Sequence, residues 1–262
     1  SNMSIEGLTD IYDTISNQFK ATALIIRDEE VVFAPQAGQV ELNVSEGQRV
    51  SAGNLIATIS SGQKEDELYN YEPGIISYKV DGLEKSLEKE DISNLNYKKI
   101  SKLRGSINSV ESGEHVNAGR PLFKVISNFN FYLAVLLPEG QLQNYGLQDK
   151  AKIIFSKFPS QTLKGVVYKT ILDSPKNIMV LEVDRFLPEL IDLRKVKVQI
   201  IKEKLHGIVV PKSAIVKENN KTKVRIRGYV KDYTKEVKIK GQVGDKVVIK
   251  KGLSPGTKVI LN

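Results

Sequence analysis

Apolar and polar residues alternate in many short segments of the chain. In the segment KVKVQII, Val196, Val198 and Ile200 are separated by lysine and glutamine. A period of two is typical of a strand with one buried face. The longest continuous apolar runs, ATALII at 21–26 and FYLAVLL at 131–137, are far shorter than the ~20 residues that cross a bilayer. The pattern predicts a mainly β protein in which none of these runs spans a membrane.

The sequence also contains a repeat. VSEGQRVSAGNLIATI at 44–59 and VESGEHVNAGRPLFKV at 110–125 share the same spacing of valine, glycine, Ala-Gly and aliphatic positions. Glycine supplies the positive φ that a tight corner needs, so each copy predicts short strands joined at glycine corners. Because one copy buries only one side of a small sheet, we expect the two copies to close into one sandwich. The glycines assigned to the turns of this repeat and its opening segments are Gly38, Gly47, Gly53, Gly74, Gly113 and Gly119.

The second copy is interrupted by an insert at about 82–104. Residues 74–76 and residues 105–107 each begin with glycine and end with isoleucine, so either segment fits the start of the second half. The apolar residues of the insert have nearly helical spacing, which predicts one or two short helices. These residues are Ile92, Leu95, Ile100 and Leu103.

Charge is distributed unevenly along the 262 residues, whose net charge is +8. Residues 204–262 contain 15 Lys and Arg against 4 Asp and Glu, a net charge of +11, so residues 1–203 carry −3. Cysteine is absent, which excludes disulfides, thiolate nucleophiles and cysteine-ligated zinc. The apolar fraction of 40% and the charged fraction of 27% are those of a globular protein with one large core or two to three small ones.

The cations of the basic end alternate with aliphatic residues. This pattern, in KVRIRGYV at 223–230 and KEVKIKG at 235–241, places Val237 and Ile239 in a core and the cations on one side of a sheet. Such a face would attract anionic lipid by about 1 kcal/mol per cation near the surface, although an ordinary solvated lysine surface explains it too. Few aromatic residues lie beside the cations, which disfavours nucleic acid. The cations are Lys223, Arg225, Arg227, Lys238 and Lys240.

Residues with catalytic or metal-binding chemistry are sparse. His115 and His206 are the only histidines, they fall in different predicted modules, and neither has a partner at metal-ligand spacing. We expect His115 to be exposed in a glycine-bounded turn. No nucleophile elbow, phosphate-binding loop or dinucleotide fingerprint is present. The sequence therefore predicts a protein that is not an enzyme and that holds no cofactor or metal.

The glycine frame of the repeat resembles the biotinyl/lipoyl-type β-sandwich, whose halves are related by a pseudo-twofold axis. Two families use this sandwich. In carrier proteins a lysine on a hairpin between the halves is biotinylated or lipoylated, and Lys64 in SSGQKEDELYNY is the candidate here. Because no hairpin is evident around it, a solvated loop lysine is the favoured interpretation.

The second family is that of membrane fusion proteins, or periplasmic adaptors, of the type that serves haemolysin secretion and multidrug efflux. Five segments after residue 127 resemble parts of the family in the family's order. They are FNFYLAVLLPEGQLQNYGLQDKAKIIF at 129–155, TLKGVVYKTI at 162–171, KVKVQII at 195–201, HGIVVPKSAIVKENNKTKVRI at 206–226 and GLSPGTKVILN at 252–262. Together with the sandwich, the resemblance covers about residues 30–262.

The adaptor resemblance implies an elongated all-β protein of three modules. The lipoyl-like sandwich is expected at 31–127, a β-barrel at 128–203 and a membrane-proximal β-domain at 204–262. Residues 1–30 are expected to add one or more strands to the barrel or to the last domain. The implied function is a non-catalytic adaptor outside the cytoplasmic membrane, with a permease or ATPase as partner and with self-association.

The chain departs from the family at the connection between the two halves. Adaptors of double-membrane bacteria carry long helical hairpins there, whereas only residues 60–72 are available here, about 20 Å if helical. This favours a short adaptor of a single-membrane, Gram-positive cell in which the insert serves as a contact surface. A cell-envelope scaffold without a transport role is the alternative. The first residues, Ser-Asn-Met, resemble a protease-cleavage remnant, which predicts that a membrane anchor preceded them in the natural chain.

Overall fold

In the computed structural model, residues 5–6, 12–127 and 129–261 are described. Strands are the main elements in these ranges, and the few helices are short. The prediction of an all-β fold with a small helical insert is therefore confirmed. The first two strands are β1 (Ile5–Glu6) and β2 (Tyr12–Ile26).

The next eight strands form a sandwich of two four-stranded sheets. One sheet has the order β3-β10-β8-β5 and the other has the order β7-β6-β4-β9. Apolar residues of both repeat copies pack into the single core between the sheets, so the two copies fold against each other as expected. The strands are β3 (Glu29–Phe33), β4 (Gly38–Leu42), β5 (Arg49–Val50), β6 (Leu55–Ser61), β7 (Lys64–Tyr69), β8 (Gly74–Ser77), β9 (His115–Val116) and β10 (Pro121–Ile126).

The insert between β8 and β9 contains a 3-10 helix at Lys89–Asn94 and the helix α1 (Tyr97–Lys102). The Asn96 side chain caps α1 by accepting a hydrogen bond from the Lys99 backbone N–H at 2.7 Å. The apolar side of the insert packs on the outer face of the barrel rather than on a partner. The expected contact surface of the insert is therefore restricted to its polar side. Its buried apolar residues are Leu87, Ile92, Leu95 and Ile100.

The barrel is built from six antiparallel strands. They follow the order β12-β13-β14-β11-β2-β15, and a pairing between β12 and β15 closes the ring, which leaves no exposed sheet edge. The N-terminal segment thus contributes β2 to this ring. The strands introduced here are β11 (Phe131–Leu136), β12 (Lys150–Phe155), β13 (Thr162–Ile171), β14 (Ile178–Val183) and β15 (Lys195–Pro211).

The last strands form what we call the C-terminal module, together with the end of β15. One sheet has the strand order β1-β21-β17-β16, and β18 also pairs with β17. The other strands of the module, β20 and β19, extend the barrel sheet beyond β15 in that order. The two groups of strands share one apolar core. The strands are β16 (Ile215–Glu218), β17 (Lys221–Ile226), β18 (Tyr233–Glu236), β19 (Lys238–Val243), β20 (Lys246–Lys251) and β21 (Val259–Ile260).

Candidate functional site

The two halves of the sandwich exchange equivalent strands. Val50 of the first copy pairs with Gly74, and Val116 of the second copy pairs with Gly38. The turns are exchanged in the same way, because the Gly47 N–H donates to the Ile76 carbonyl at 2.8 Å. In the other half, the N–H of Gly113 donates to the carbonyl of Val40 at 2.6 Å. The second half therefore begins at residue 74, which settles the choice against residue 105.

The six glycines assigned to turns have two different roles. Gly47 and Gly113 have φ of +78° and +90°, and Gly53 and Gly119 occupy the second corner of each copy with similar values. Gly38 and Gly74 are not turn residues. Each begins a strand, and an added Cβ would collide with a backbone carbonyl oxygen, that of Ser60 or of Ile126. These two glycines permit close approach of the backbone to the paired strand.

The short connection between the two halves is a β-hairpin. Ser61 pairs with Lys64, and the turn between them contains Gly62 with φ of +61°. The expectation that Lys64 lies in a loop without a hairpin is therefore wrong. A two-residue turn with glycine first is a standard hairpin connection, and residues 61–64 contain it. Lys64 is exposed beside this turn.

Six charged side chains meet where the sandwich, the insert and the barrel join. Three are cations and three are carboxylates, and all are buried or nearly so. We call them the buried ion cluster. Its members are Arg27, Glu29, Asp81, Glu84, Lys124 and Arg194.

Glu29 is the centre of the buried ion cluster. Its carboxylate lies 3.0 Å from Arg27 Nε, 2.9 Å from Lys124 Nζ and 2.8 Å from Arg194 Nη2. Burial alone would raise the pKa of Glu29, but the three cations more than offset this and lower it. Glu29 is therefore charged, and the cluster joins β3 and β10 of the sandwich to the start of β15 in the barrel.

The insert joins the same cluster through two carboxylates. Arg194 binds Asp81 with two nitrogens, Nε at 2.8 Å and Nη2 at 3.1 Å. Burial would raise the pKa of Asp81, but the hydrogen bonds and the charge of Arg194 lower it well below its usual value. Glu84 accepts from the Asp81 N–H at 2.7 Å and lies 3.5 Å from Lys124.

Arg27 ties the cluster to the barrel loops. Its Nη1 donates to the carbonyls of Leu190 and Ile191 at 2.6 and 3.0 Å, and its guanidinium lies 5.7 Å from the ring centre of Phe186. Burial lowers the pKa of Arg27 to about 10, so the side chain remains charged at neutral pH. Equal numbers of buried cations and anions make this a structural joint between modules rather than a charged binding site.

A second polar joint lies between the barrel and the C-terminal module. Lys202 of β15 is buried, pairs with Asp149 Oδ2 at 3.0 Å, and donates to the carbonyls of Asn144 and Gln242. The Gly244 N–H donates to Asn144 Oδ1 at 2.5 Å. Burial lowers the pKa of Lys202 from its ordinary value. The β19–β20 hairpin is thereby docked on a barrel loop.

An acidic groove of about 460 Å³ lies beside the buried ion cluster. Exposed aromatic side chains, Tyr71 at 84% and Phe129 at 69% exposure, line it. Glu29 also lines the groove. Among the described residues, no cation lies within ion-pair distance of its other five carboxylates, which come from three separate segments. These are Asp28, Glu30, Glu72, Glu88 and Glu90.

Neither the buried ion cluster nor the acidic groove is predicted by the sequence patterns. Lys124 interrupts the apolar strand PLFKVI, and Arg27 follows the apolar run ATALII. A single charge inside or beside a strongly apolar run is a signal of a buried, paired charge. The partners lie far away in sequence and carry no such signal.

The predicted basic residues do not lie on one sheet. Lys223 and Arg225 are in β17, with Arg227 directly after it, whereas Lys238 and Lys240 are in β19 of the other sheet. Arg227 pairs with Asp232 at 2.8 Å and Lys223 with Glu218 at 3.9 Å.

The prediction that Ile239 is a core residue is wrong, because it is 40% exposed whereas Val237 is buried. Register shifts on either side of Ile239 interrupt the alternation of β19.

Two features are absent from the part of the chain that the structure describes, a metal-binding cluster and a membrane-spanning helix. There, no group of three or more His, Asp or Glu side chains is placed to hold a metal ion. His115 is exposed in β9, as expected, and the side chain of His206 lies outside the described residues, as does the Ser-Asn-Met start. Within the same ranges, no helix has both the length and the apolar character needed to cross a bilayer.

Three solved structures of low identity are similar to the chain. ZneB from Cupriavidus metallidurans is 17% identical, with 98% of this chain and 92% of that chain covered and a TM-score of 0.39. MacA from Actinobacillus actinomycetemcomitans is 16% identical, with coverage of 100% and 99% and a TM-score of 0.40. The membrane fusion protein Spr0693 from Streptococcus pneumoniae R6 is 15% identical, with coverage of 72% and 100% and a TM-score of 0.35. At these values the likenesses carry no argument here. No curated protein matches the sequence.

Family models account for nearly the whole chain. Residues 29–127 match the RND-related barrel-sandwich hybrid domain, and residues 131–204 match the RND-related beta-barrel domain. Residues 206–262 match the C-terminal permuted SH3 domain of RND membrane fusion proteins. The three models follow one another in the order in which the sandwich, the barrel and the C-terminal module occur. The resemblance drawn from the sequence is thereby confirmed, and the chain belongs to the membrane fusion protein family.

Proposed function

We propose that the chain is a non-catalytic, extracytoplasmic adaptor that assembles with a transporter of the cytoplasmic membrane in an efflux or secretion system. Membership of the membrane fusion proteins supports this, because these proteins are adaptors that partner inner-membrane transporters and oligomerise. In this proposal the protein acts by protein–protein assembly with a permease or ATPase and with further copies of itself.

One observation in the structure supports this role most directly. The buried ion cluster joins the sandwich to the barrel. The long strands β2 and β15 join the barrel to the C-terminal module, and they pair with each other from Leu24 and Lys195 to Tyr12 and Ile208. Each module is therefore held in a set position relative to the next. An adaptor needs such coupling, because a transporter at one end must position the contacts made by the other end.

The short hairpin suggests the type of cell. Strands β6 and β7 have 7 and 6 residues, so the hairpin extends about 20 Å at ~3.3 Å per residue. That length is too small to bridge a periplasm, which supports an adaptor of a single-membrane, Gram-positive cell. We also propose that an anchor preceding residue 1 holds the protein at the outer side of the cytoplasmic membrane.

Photo-crosslinking in membranes of the native cell tests the adaptor role. A crosslinking residue at Tyr233, half exposed on the C-terminal module, is compared with one at Tyr71, exposed on the sandwich. We expect a permease or ATPase to be captured from position 233 and not from position 71, since the module is the membrane-proximal part in this proposal. Capture of wall or division proteins alone would show a cell-envelope scaffold instead.

The carrier alternative has a separate test, because Lys64 does lie beside an exposed hairpin turn. The protein is produced in cells that contain biotin and lipoate ligases, and its intact mass is measured. We expect the mass of the unmodified chain, without an added biotinyl or lipoyl group. An added biotinyl or lipoyl mass that disappears in Lys64→Arg would make the chain a carrier.

A further inference from the structure

The loop between β17 and β18 projects two apolar side chains into solvent. The loop has the sequence RGYVKD, and its Tyr229 is fully exposed while Val230 is 98% exposed. These are the two most exposed large apolar side chains among the described residues. Water contact at adjacent tyrosine and valine side chains is unfavourable, and exposed apolar groups framed by polar residues mark interaction sites.

The loop is held in this shape by its own contacts. Arg227 Nε pairs with Asp232 Oδ1 at 2.8 Å and closes the neck of the loop. The Arg227 N–H donates to the Lys258 carbonyl at 2.9 Å, which fixes the neck to the neighbouring strand. Gly228 has no room for a side chain, because an added Cβ would collide with the Lys231 carbonyl oxygen. The tip at 228–231 therefore projects from a closed base.

Cations surround the apolar tip. Lys231 is exposed within it, Lys235 is exposed in β18, and Lys258 is exposed directly before β21. Arg227 is neutralised by Asp232, but the C-terminal 59 residues as a whole carry a net charge of +11. A tyrosine and an aliphatic residue flanked by lysines match the composition of protein segments at a membrane–water interface, where the ring sits at headgroup level. Lysines near the surface add attraction to anionic lipid.

We propose that the tip at 228–231 inserts into an anionic bilayer, with Tyr229 and Val230 at the headgroup boundary and with Lys231, Lys235 and Lys258 against the headgroups. The inference rests on the proposed function, because the proposed location at the outer side of the cytoplasmic membrane brings this module close to lipid. It also moves the lipid contact from the faces of β17 and β19 to one loop. We infer that the tip binds a lipid surface for two reasons. Its cations complement anionic headgroups, and its apolar side chains fit the headgroup boundary.

A single tryptophan can report the insertion, because the chain contains none. The variant Tyr229→Trp is mixed with vesicles of phosphatidylcholine, with or without phosphatidylglycerol, and with brominated lipid as a quencher. With phosphatidylglycerol we expect a blue-shifted and quenched emission, and the matched variant Tyr71→Trp on the sandwich should show neither change. Unquenched emission at position 229, equal quenching at both positions, or equal insertion into neutral vesicles would each overturn the proposal.

Partitioning of the whole protein gives a second measurement. Tyr229→Ser combined with Val230→Ser should weaken binding to phosphatidylglycerol vesicles by about tenfold, a factor equivalent to about 1.4 kcal/mol. Tyr71→Ser should leave binding unchanged. Unaltered binding of the double variant would mean that general positive charge is responsible, and the proposal would fail. The Tyr229→Trp variant is also measured without vesicles. A blue shift of its emission that grows with protein concentration would mean that the tip binds a second copy of the chain, and this result would also overturn the proposal.

These assays contain no transporter, so the two proposals can fail separately. Insertion into vesicles together with capture of only scaffold proteins from native membranes would reject the adaptor role and keep the lipid contact. Capture of a transporter together with no insertion would reject the lipid contact and keep the adaptor role.

Discussion

The two joints between the modules of this molecule are held by different kinds of interaction. The sandwich and insert are attached to the barrel by six charged side chains that come from separate segments of the chain. The barrel is attached to the C-terminal module by two strands that run on from one to the other, with Lys202 as a single buried cation. The first joint therefore depends on exact charge balance, and the second depends mainly on backbone hydrogen bonds. Removing charge should damage the first joint much more than the second.

The largest effect is expected for Glu29→Gln. The amide has the shape of the carboxylate but no charge, so Arg27, Lys124 and Arg194 would remain buried with too few anions. Loss of one partner from a buried ion network lowers the free energy of unfolding by about 3–5 kcal/mol. Urea unfolding followed by circular dichroism measures this loss.

The neighbouring residue supplies the control for that measurement. Glu30 is exposed and makes no ion pair with a described residue, so Glu30→Gln should change the free energy of unfolding by less than about 0.5 kcal/mol. Equal losses for Glu29→Gln and Glu30→Gln would show that the buried ion cluster does not hold the joint.

Acid should open the first joint before the second. The pKa values of Glu29 and Asp81 are lowered in the folded protein, against about 4 in the unfolded chain. The stability that they provide is complete above about pH 4 and is lost as the pH falls through the lowered values. The urea midpoint of the native protein should therefore fall more steeply below about pH 4 than that of Glu29→Gln. Parallel curves for the two proteins would contradict the assignment.

An intermediate effect is expected for Asp81→Asn. Asp81 receives two hydrogen bonds from Arg194, but Arg194 would still be paired with Glu29, so no cation is left without an anion. A hydrogen bond to a charged group contributes about 1.5–3 kcal/mol, and we expect a loss in that range. The insert should be affected first, and hydrogen exchange of the α1 amides measures this. Unchanged exchange in α1 would show that its apolar contacts with the barrel suffice to hold it.

The difference between the joints also explains what the sequence could predict. Strand β13 coincides with the segment TLKGVVYKTI, and the alternation of Val196, Val198 and Ile200 gives their burial in β15. The repeat predicted that its two copies close into one sandwich, because equal spacing of glycine and aliphatic residues gives the strands of both copies the same pairing. These are local patterns with a fixed period, so the backbone geometry can be read from them.

Side-chain joints have no such period. Arg194 and Glu29 are separated by 165 residues and meet only because the barrel closes. The alternation also gave a wrong prediction for Ile239, because bulges in β19 shift the register there. The prediction for Lys64 was wrong for a different reason, because a two-residue turn with glycine joins Ser61 to Lys64. The acidic groove could not be predicted for a similar reason, since its carboxylates come from three separate segments.

The smallest effect is expected at the second joint, for Lys202→Met. The substitution removes the ion pair with Asp149 and the bonds to two carbonyls, but it also removes a cation whose burial is unfavourable, as its lowered pKa shows. Because an apolar side chain of similar volume can replace a buried charge at little net cost, we expect a change within about 1 kcal/mol.

The pH dependence of this lysine has the same sign as that of the carboxylates but falls in the alkaline range. Its folded pKa lies below that of the unfolded chain, about 10.4, so the unfolded chain binds the proton more tightly and stability should rise as the pH increases between the two values. Urea unfolding at alkaline pH should show this gain in the native protein and in the exposed control Lys150→Met, but not in Lys202→Met. A loss in Lys202→Met as large as that in Glu29→Gln would mean that both joints rest on buried charge, and the contrast between them would disappear.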